Sequence, residues 1–436
     1  MNVPPGPGLR AWPGVIGHPA QRFAALACLA SVALASLGPL AEAVPAFLTI
    51  YVAWLFGLLW LARRRPALRG SAILLWALLL RLPLLLGPAP SLSDDIHRYV
   101  WEGRVLAQGD DPWDLAPDDP QLLRLRAQAP EWASVNHREL PAIYPPVTQG
   151  FFAALVAAGL DRVGAFRAAL VAVDLLLIAV LLALLRARGR PSGGAILYAW
   201  HPLVVVEVAS SGHYEPLALL PLAAGLLLWE RGRAEAWLAW GLAFGTKLLG
   251  AAPAWFAVRR LQASGRMDLA WRGLLATALV ALLPALPFAL DGSPPTGSLG
   301  TYVEHWGHNA FVHALLTPAL GYHPARLVVA GVFVGWAALL TWRAPRPAEG
   351  FALLFVGLVV LSPVVHPWYG LWLVLFLPLF PRLDLALISG LLPLSYLAWT
   401  TQQGGGPWQA PAWVPWVEYG APAAAWALWC RRRYRL

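Results

Sequence analysis

The chain has 436 residues, of which 58% are hydrophobic and only 13% charged, with a mean hydropathy of +0.58. An average soluble domain is about 25% charged, so the composition excludes a soluble globular enzyme and reads as an integral membrane protein. The formal net charge of +9 does not indicate nucleic acid. The arginines gather in short loops between apolar runs, as in RRRPALR (63–69), RARGR (186–190) and RRRYRL (431–436), where they report topology.

The two cysteines, Cys28 and Cys430, fall in or beside apolar segments, which argues against a disulfide framework, a metal cluster or a thiol catalyst. Residues 1–22 are rich in Pro and Gly and are expected to form a disordered cytoplasmic tail. The run from Phe23 to Leu40 lacks a small-residue cleavage site and reads as a retained signal anchor. The remainder, 23–436, reads as one transmembrane domain without a strong internal repeat.

A spanning helix needs about 20 mainly apolar residues. Placing RRRPALR inside puts the hairpin of spans 23–40 and 46–62 with both ends in the cytoplasm, and a third span near 71–88 then exits. Residues 89–146 therefore form an extracytoplasmic loop. It carries a predicted amphipathic helix over 94–106, a turn at Gly109–Pro112, a polar helix near 121–127 and a return through NHRELPAIYPP (136–146). The run 147–160 is too short to cross comfortably and reads as interfacial or re-entrant. Spans at 165–185, 193–209 and 215–229 follow. The apolar stretch 235–258 is interrupted by Gly245, Lys247 and Gly250 and flanked by arginines on both sides, which predicts two half-helices that enter and leave on the cytoplasmic face. Further spans are expected near 270–290, 324–342, 350–363, 368–381, 384–400 and 412–430. The sum is about 12 to 14 membrane segments of an all-α polytopic protein.

With this topology Asp94, Asp95, Tyr144, His213, Glu215, His305, Asn309, His366 and Tyr369 all emerge on the extracytoplasmic side. A charge at the centre of a membrane helix costs roughly 2.5–3.5 kcal/mol on insertion scales and usually marks function, so one site is expected there. Asp94 and Asp95 open the loop helix. A carboxylate at the membrane boundary could act as general base toward an acceptor hydroxyl, and Ser93-Asp94-Asp95 is equally a good helix-capping sequence. On the same helix Arg98 or Arg104 could grip a phosphate, or the helix rests at headgroup level on its Trp and Arg side chains. Tyr144 lies on a turn fixed by two prolines and could line a sugar pocket. Lys247 lies inside an apolar stretch, where an ammonium needs an anion such as a lipid phosphate, unless it snorkels to the interface. Glu207 and Asp174 read as helix-packing acids without evident partners. The tips Ser211–Pro216, Trp306–Asn309 and Ser362–Tyr369 combine aromatics with His, Asn and Glu, as sugar stacking or interfacial anchoring would require. No His pair or Cys/His cluster has zinc spacing, and no phosphate-cradling glycine loop points to a nucleotide.

Taken together, SDDIHRYVWEGRVLAQGDDPW (93–113), NHRELPAIYPPVTQ (136–149), SGHYEPLALL (211–220), TKLLG (246–250) and SPVVHPWYGLW (362–372) resemble bacterial polyprenol-phosphate-mannose-dependent mannosyltransferases of the GT-C superfamily. The likeness runs from about residue 90 to 370, and the first and last motifs are the specific ones. It implies a GT-C fold and a hexose, most often mannose, carried on a polyprenyl phosphate. It further implies inverting transfer to a lipid or envelope glycan acceptor at the extracytoplasmic face of the inner (plasma) membrane. Carried over by position, Asp94 or Asp95 would be the catalytic base, Lys247 matches the segment that approaches the lipid phosphate in distantly similar lipid-donor transferases, and His366 and Trp368 match the late HPWY motif. By their own chemistry Arg98 and Arg104 join Lys247 as candidates for the donor phosphate, and Tyr99, Glu102, Tyr144, His213, Glu215, Asn309, His366, Trp368 and Tyr369 are the candidate sugar and acceptor surface. Glu102 stands where relatives more often have Asp, and His213-Tyr214-Glu215 replaces a His-Asn-Asp pattern. Membrane lipids are the other expected partners and nucleic acid is not. No cofactor is required, and a divalent metal could assist without being indicated. The competing class is a transporter or lipid flippase for glycolipid precursors, which would show paired broken helices in related halves. Only one such break is visible, at 245–250.

Overall fold

The structure, a computed structural model, describes residues 19–343 and 345–434. The expected tail falls outside the described residues up to residue 18, and Pro19 already opens the first helix. Among the described residues the chain is helical throughout and contains no strand, in keeping with an all-α polytopic protein.

The first three helices, α1 (Pro19–Ser36), α2 (Val44–Arg63) and α3 (Gly70–Leu86), follow the predicted spans closely. After α3 the chain leaves the apolar bundle for the loop helix α4 (Asp95–Ala107), which packs along α5 (Pro146–Ala157). Contact is close enough that a Cβ on Gly103 would stand 2.8 Å from the Phe152 carbonyl oxygen. The other face of α4 buries Trp101 and Val105 against Leu122, Leu125, Ala129 and Val135, a separate small core that gives the 89–146 loop a fixed shape. Two arginines stitch it. Arg98 donates to Glu102 and to the carbonyls of Asn136, His137 and Leu140, and Arg104 pairs with Glu131 and Asp161.

The long helix α6 (Val163–Ala187) leads to a bent pair, Ser192–Ala199 and Pro202–Ser210, here α7, broken by 54°. The break follows from Pro202, which holds His201 extended and cannot donate to the preceding turn; His201 Nδ1 instead accepts from the Leu203 amide at 3.2 Å. Next come α8 (Glu215–Glu230), α9 (Ala236–Thr246) and α10 (Ala252–Ala263). Helices α9 and α10 form the hairpin expected over 235–258. Its tip at Thr246–Lys247 reaches the start of α8 and the start of α5, where Thr148 Oγ1 donates to the Thr246 carbonyl at 2.8 Å.

Helix α11 (Met267–Leu282, running on to Leu290) precedes the short α12 (Leu299–His305) and α13 (Val312–Leu320). The chain closes with α14 (Tyr322–Arg343), α15 (Pro347–Leu361), α16 (Leu383–Gln403, with a tight central turn) and α17 (Val414–Tyr434). Arginine-bearing turns gather at one end of the bundle, where Arg188 meets Glu230 and Ser192 Oγ reaches the Leu68 carbonyl. The loop domain covers the other end.

One expectation on spans is corrected. Among the described residues six helices are long and apolar enough to cross a membrane, or seven with α7, and further apolar runs, including α3, α5 and α15, form helices of 17 residues or fewer. The run 368–381 is not a span at all. After Pro367–Tyr369 only Gly370–Val374 is α-helical, and Leu371 to Leu377 are almost wholly buried. A run apolar on every side suits the protein interior as well as lipid, and Pro378 and Pro381 end it.

Asp174 and Glu207, read as lacking partners, both have them. Asp174 on α6 pairs with Arg81 on α3 at 2.6 Å, both fully buried, and accepts from Tyr198 Oη at 2.7 Å. Arg81 also donates to the Ala199 carbonyl at the α7 break, so one ion pair ties three helices. Glu207 accepts from Tyr396 Oη at 3.0 and 3.1 Å. Breaking a buried pair by removing one partner costs about 3–5 kcal/mol, whereas replacing both by apolar groups is often near neutral. Arg81→Met is therefore expected to lower thermal stability in detergent sharply, and Arg81→Met/Asp174→Leu to recover most of the loss. Equal losses in single and double variants would contradict this role.

Candidate active site

The site begins at the first turn of α4. Asp94 is exposed and Asp95 half-buried. Of the capping sequence, Ser93 Oγ accepts from the Asp95 amide at 3.4 Å, while the Asp94 side chain makes no bond to the helix amides. Instead the Asn136 side-chain amide donates to Asp94 Oδ1 at 2.7 Å and to Asp95 Oδ1 at 3.0 Å. One amide thus clamps two adjacent carboxylates. Burial pushes the Asp95 pKa up to about 6, with Asp94 adding to the rise, the Asn136 hydrogen bond opposing it, Glu215 adding and Arg98 opposing. That places the Asp95 carboxyl closer to neutrality than an ordinary aspartate.

Behind Asp95 lies an aromatic wall. Tyr99 stacks on Phe152 at 4.9 Å and meets Tyr144 and Tyr214 edge-on at 5.2 and 5.4 Å. Trp113 Nε1 holds the Tyr144 carbonyl at 2.9 Å. The turn after α7 brings the next residues in. Gly212 has φ +73°, and a Cβ there would stand 2.3 Å from Ile96 Cδ1, so only glycine lets the His213 turn lie against α4. Buried His213 is 3.5 Å from Tyr99 Oη and 3.4 Å from Glu207 Oε2. Its ring begins a column with Trp368 at 3.9 Å, His366 a further 4.3 Å on and His308 4.8 Å beyond.

Glu215, fully buried at the start of α8, pairs with Lys247 at the hairpin tip. The Lys247 ammonium also lies over the rings of Tyr214, Tyr369 and Trp372 at 5.1, 5.4 and 5.9 Å. Lys247 is thus neither a lone charge nor buried away. It keeps about a quarter of its side chain exposed and lines a cavity of about 270 Å³ with Tyr302, Arg326, Ser362, Tyr369 and Trp372. Tyr302 Oη and Tyr369 Oη are 2.7 Å apart across it. The Asp95 charge reaches Tyr302, contributing to the rise of its hydroxyl pKa that burial dominates.

The structure brings together Asp95, Tyr99, Tyr144, His213, Glu215, Lys247, His366, Trp368 and Tyr369. It turns four others elsewhere. Arg98 and Arg104 were expected to hold phosphate, but each is neutralised by carboxylates and bonded to loop carbonyls. Glu102, expected at the sugar, is buried with one oxygen on Arg98 and the other on Gln149. Asn309 donates to buried Glu418 at 2.8 Å, which commits it to α17. Sequence reasoning does not reach Asn136, Tyr302 or Arg326. Asn136 sits inside the quoted NHREL motif, but only the folded loop sets it across from Asp94 and Asp95.

No curated protein and no solved structure matches the chain. The model of the alpha-(1->6)-mannopyranosyltransferase family, N-terminal domain, matches residues 16–290, well over half of the sequence and every element from α1 to α11. That region contains Asp95, Asn136, His213, Glu215 and Lys247, while the far wall of the cavity follows it in the chain. The chain belongs to the alpha-(1->6)-mannopyranosyltransferase family and is a multi-pass membrane mannosyltransferase.

Proposed function

We propose that this mannosyltransferase takes its sugar from a polyprenyl-phosphate donor and passes it to a hydroxyl of a lipid or envelope glycan at the extracytoplasmic face of the inner membrane, with Asp95 as general base. The observation that carries this reading is that Asp95, whose charge is felt at Tyr302, lies near a largely apolar cavity that Tyr302 lines together with Lys247 and Arg326. A base, a phosphate-binding charge and room for an apolar substrate meet there.

In the step, the acceptor oxygen attacks the anomeric carbon while its proton passes to Asp95. The bond from that carbon to the phosphate oxygen breaks, and its electron pair stays on the leaving phosphate. Positive charge develops on the sugar ring and negative charge on the phosphate, so the carboxylates of Asp95 and Glu215 and the cations around the cavity match the two developing charges. Asp94, exposed and bonded to Asn136, acts through Asp95. Trp368, Tyr369 and Tyr214 offer ring faces to the sugar. An inverting displacement that yields an alpha linkage, as in the family's name, uses a beta-linked donor. The charges required are carried by side chains, so the step as written draws on no metal ion.

Loss of a general base typically costs 10²–10⁴-fold in rate. Asp95→Asn, assayed in membranes with labelled polyprenyl-phosphate mannose, is expected to lose about that much at unchanged protein level, with Asp94→Asn losing far less. Full activity in Asp95→Asn would remove the assignment. A pH profile tests the same point. Asp95 must be ionised to accept a proton, so kcat/KM should fall as pH drops through about 6. Asp94→Asn removes the like charge that raises the Asp95 pKa, and the acidic limb should move to lower pH. Asn136→Leu removes a bond that favours the carboxylate, and the limb should move up. A limb that stays put in both variants would contradict the account.

A further inference from the structure

The cavity has a second cation that neither the sequence motifs nor the family match covers. Arg326 lies in the first turn of α14, half-buried, and donates to the Val303 and Trp306 carbonyls at the end of α12 and to Tyr322 Oη. Its Nε is buried without a hydrogen-bond partner. Among the described residues no carboxylate lies within ion-pair distance of it, unlike Arg98, Arg104 and Lys247. Two cations thus line the cavity, and only one of them, Lys247, is held by a carboxylate within ion-pair distance.

The opposite wall is apolar. Leu249, Phe355 and Leu358 line the cavity, and behind them Phe333, Phe351 and Leu354 pack its end closed between the hairpin tip, α14 and α15. Helix α14 exposes Leu327 and Val334, as a lipid-facing helix would. A pocket cationic at one end and apolar along its length complements an amphiphile with an anionic head. A monoanionic phosphodiester would pair with Arg326, the cation without a carboxylate partner among the described residues. As it becomes a monoester its charge grows toward −1.5 to −2, and Lys247, held only by Glu215 and ring faces, is the group available to turn to it.

We propose that Arg326 anchors the phosphate of the lipid-linked donor and that the first isoprene unit of its chain lies against Leu249, Phe355 and Leu358, at the apolar end of the cavity. This rests on the donor class proposed above and adds where that donor sits.

The test uses the full-length protein in nanodiscs. Binding is measured for long-chain polyprenyl phosphate, a ten-carbon isoprenyl phosphate and inorganic phosphate, in wild type, Arg326→Gln and Leu358→Trp. Losing one charge-assisted contact should weaken both lipid phosphates about 10- to 100-fold in Arg326→Gln. Leu358→Trp fills the apolar end of the cavity, so it should weaken both isoprenyl phosphates, and inorganic phosphate should bind weakly to all three proteins. Because Arg326 also holds the end of α12, Leu358→Trp gives a reading independent of that contact. Wild-type affinity for the long-chain lipid in both variants would overturn the inference while leaving the donor class intact. Inorganic phosphate binding as tightly as the lipid would overturn the seat of the first isoprene unit. Wild type that binds no polyprenyl phosphate would overturn the donor class itself.

Discussion

Lys247 and Glu215 meet inside an apolar bundle, and neither charge would be stable there alone, since an unpaired buried ion costs several kcal/mol. Their pairing fixes more than itself. Glu215 opens α8 directly after the Gly212–His213 turn, and Lys247 marks the tip of the α9–α10 hairpin. Joining them draws the hairpin up to the loop domain, brings Tyr214, Tyr369 and Trp372 around one ammonium, and sets one wall of the cavity.

Around that pair the polar side chains divide into those that build and those that remain open. Arg81 with Asp174, Arg98 with Glu102, Arg104 with Glu131 and Asn309 with Glu418 hold helices and the loop in place. Asp95, Lys247 and Arg326 keep part of their surface free. Fixing the first set is what makes the second useful, because charged groups that need not reorganise stabilise developing charge more effectively than mobile ones. The 89–146 loop shows the same logic. Its own small core and two arginine stitches hold α4 firmly enough for Asn136 to clamp Asp94 and Asp95.

Much of this was legible in the residues. The loop helix is expected over 94–106 and observed over Asp95–Ala107, because its apolar spacing and acidic start are strong local signals. The interrupted stretch 235–258 folds as a hairpin, since Gly245, Lys247 and Gly250 leave the helix no way through. Hydropathy could not separate lipid-facing runs from core-facing ones: Leu371–Leu377 is apolar on every side and lies inside the protein. Nor could spacing tell a spent arginine from a free one. Arg98 has Glu102 four residues on, but its carbonyl partners and both partners of Arg104 lie 27 to 57 residues away, while Arg326, in an unremarkable helix start, becomes notable only once α14 is placed beside the cavity.

The most direct measurement is single-turnover transfer by the purified wild-type protein, supplied in parallel with beta-linked polyprenyl-phosphate mannose and with a nucleotide-linked mannose, with the anomeric configuration of the product read by NMR. The account predicts an alpha-linked product from the lipid-linked donor alone. Transfer from the nucleotide sugar, or a product that retains the beta configuration, would contradict it.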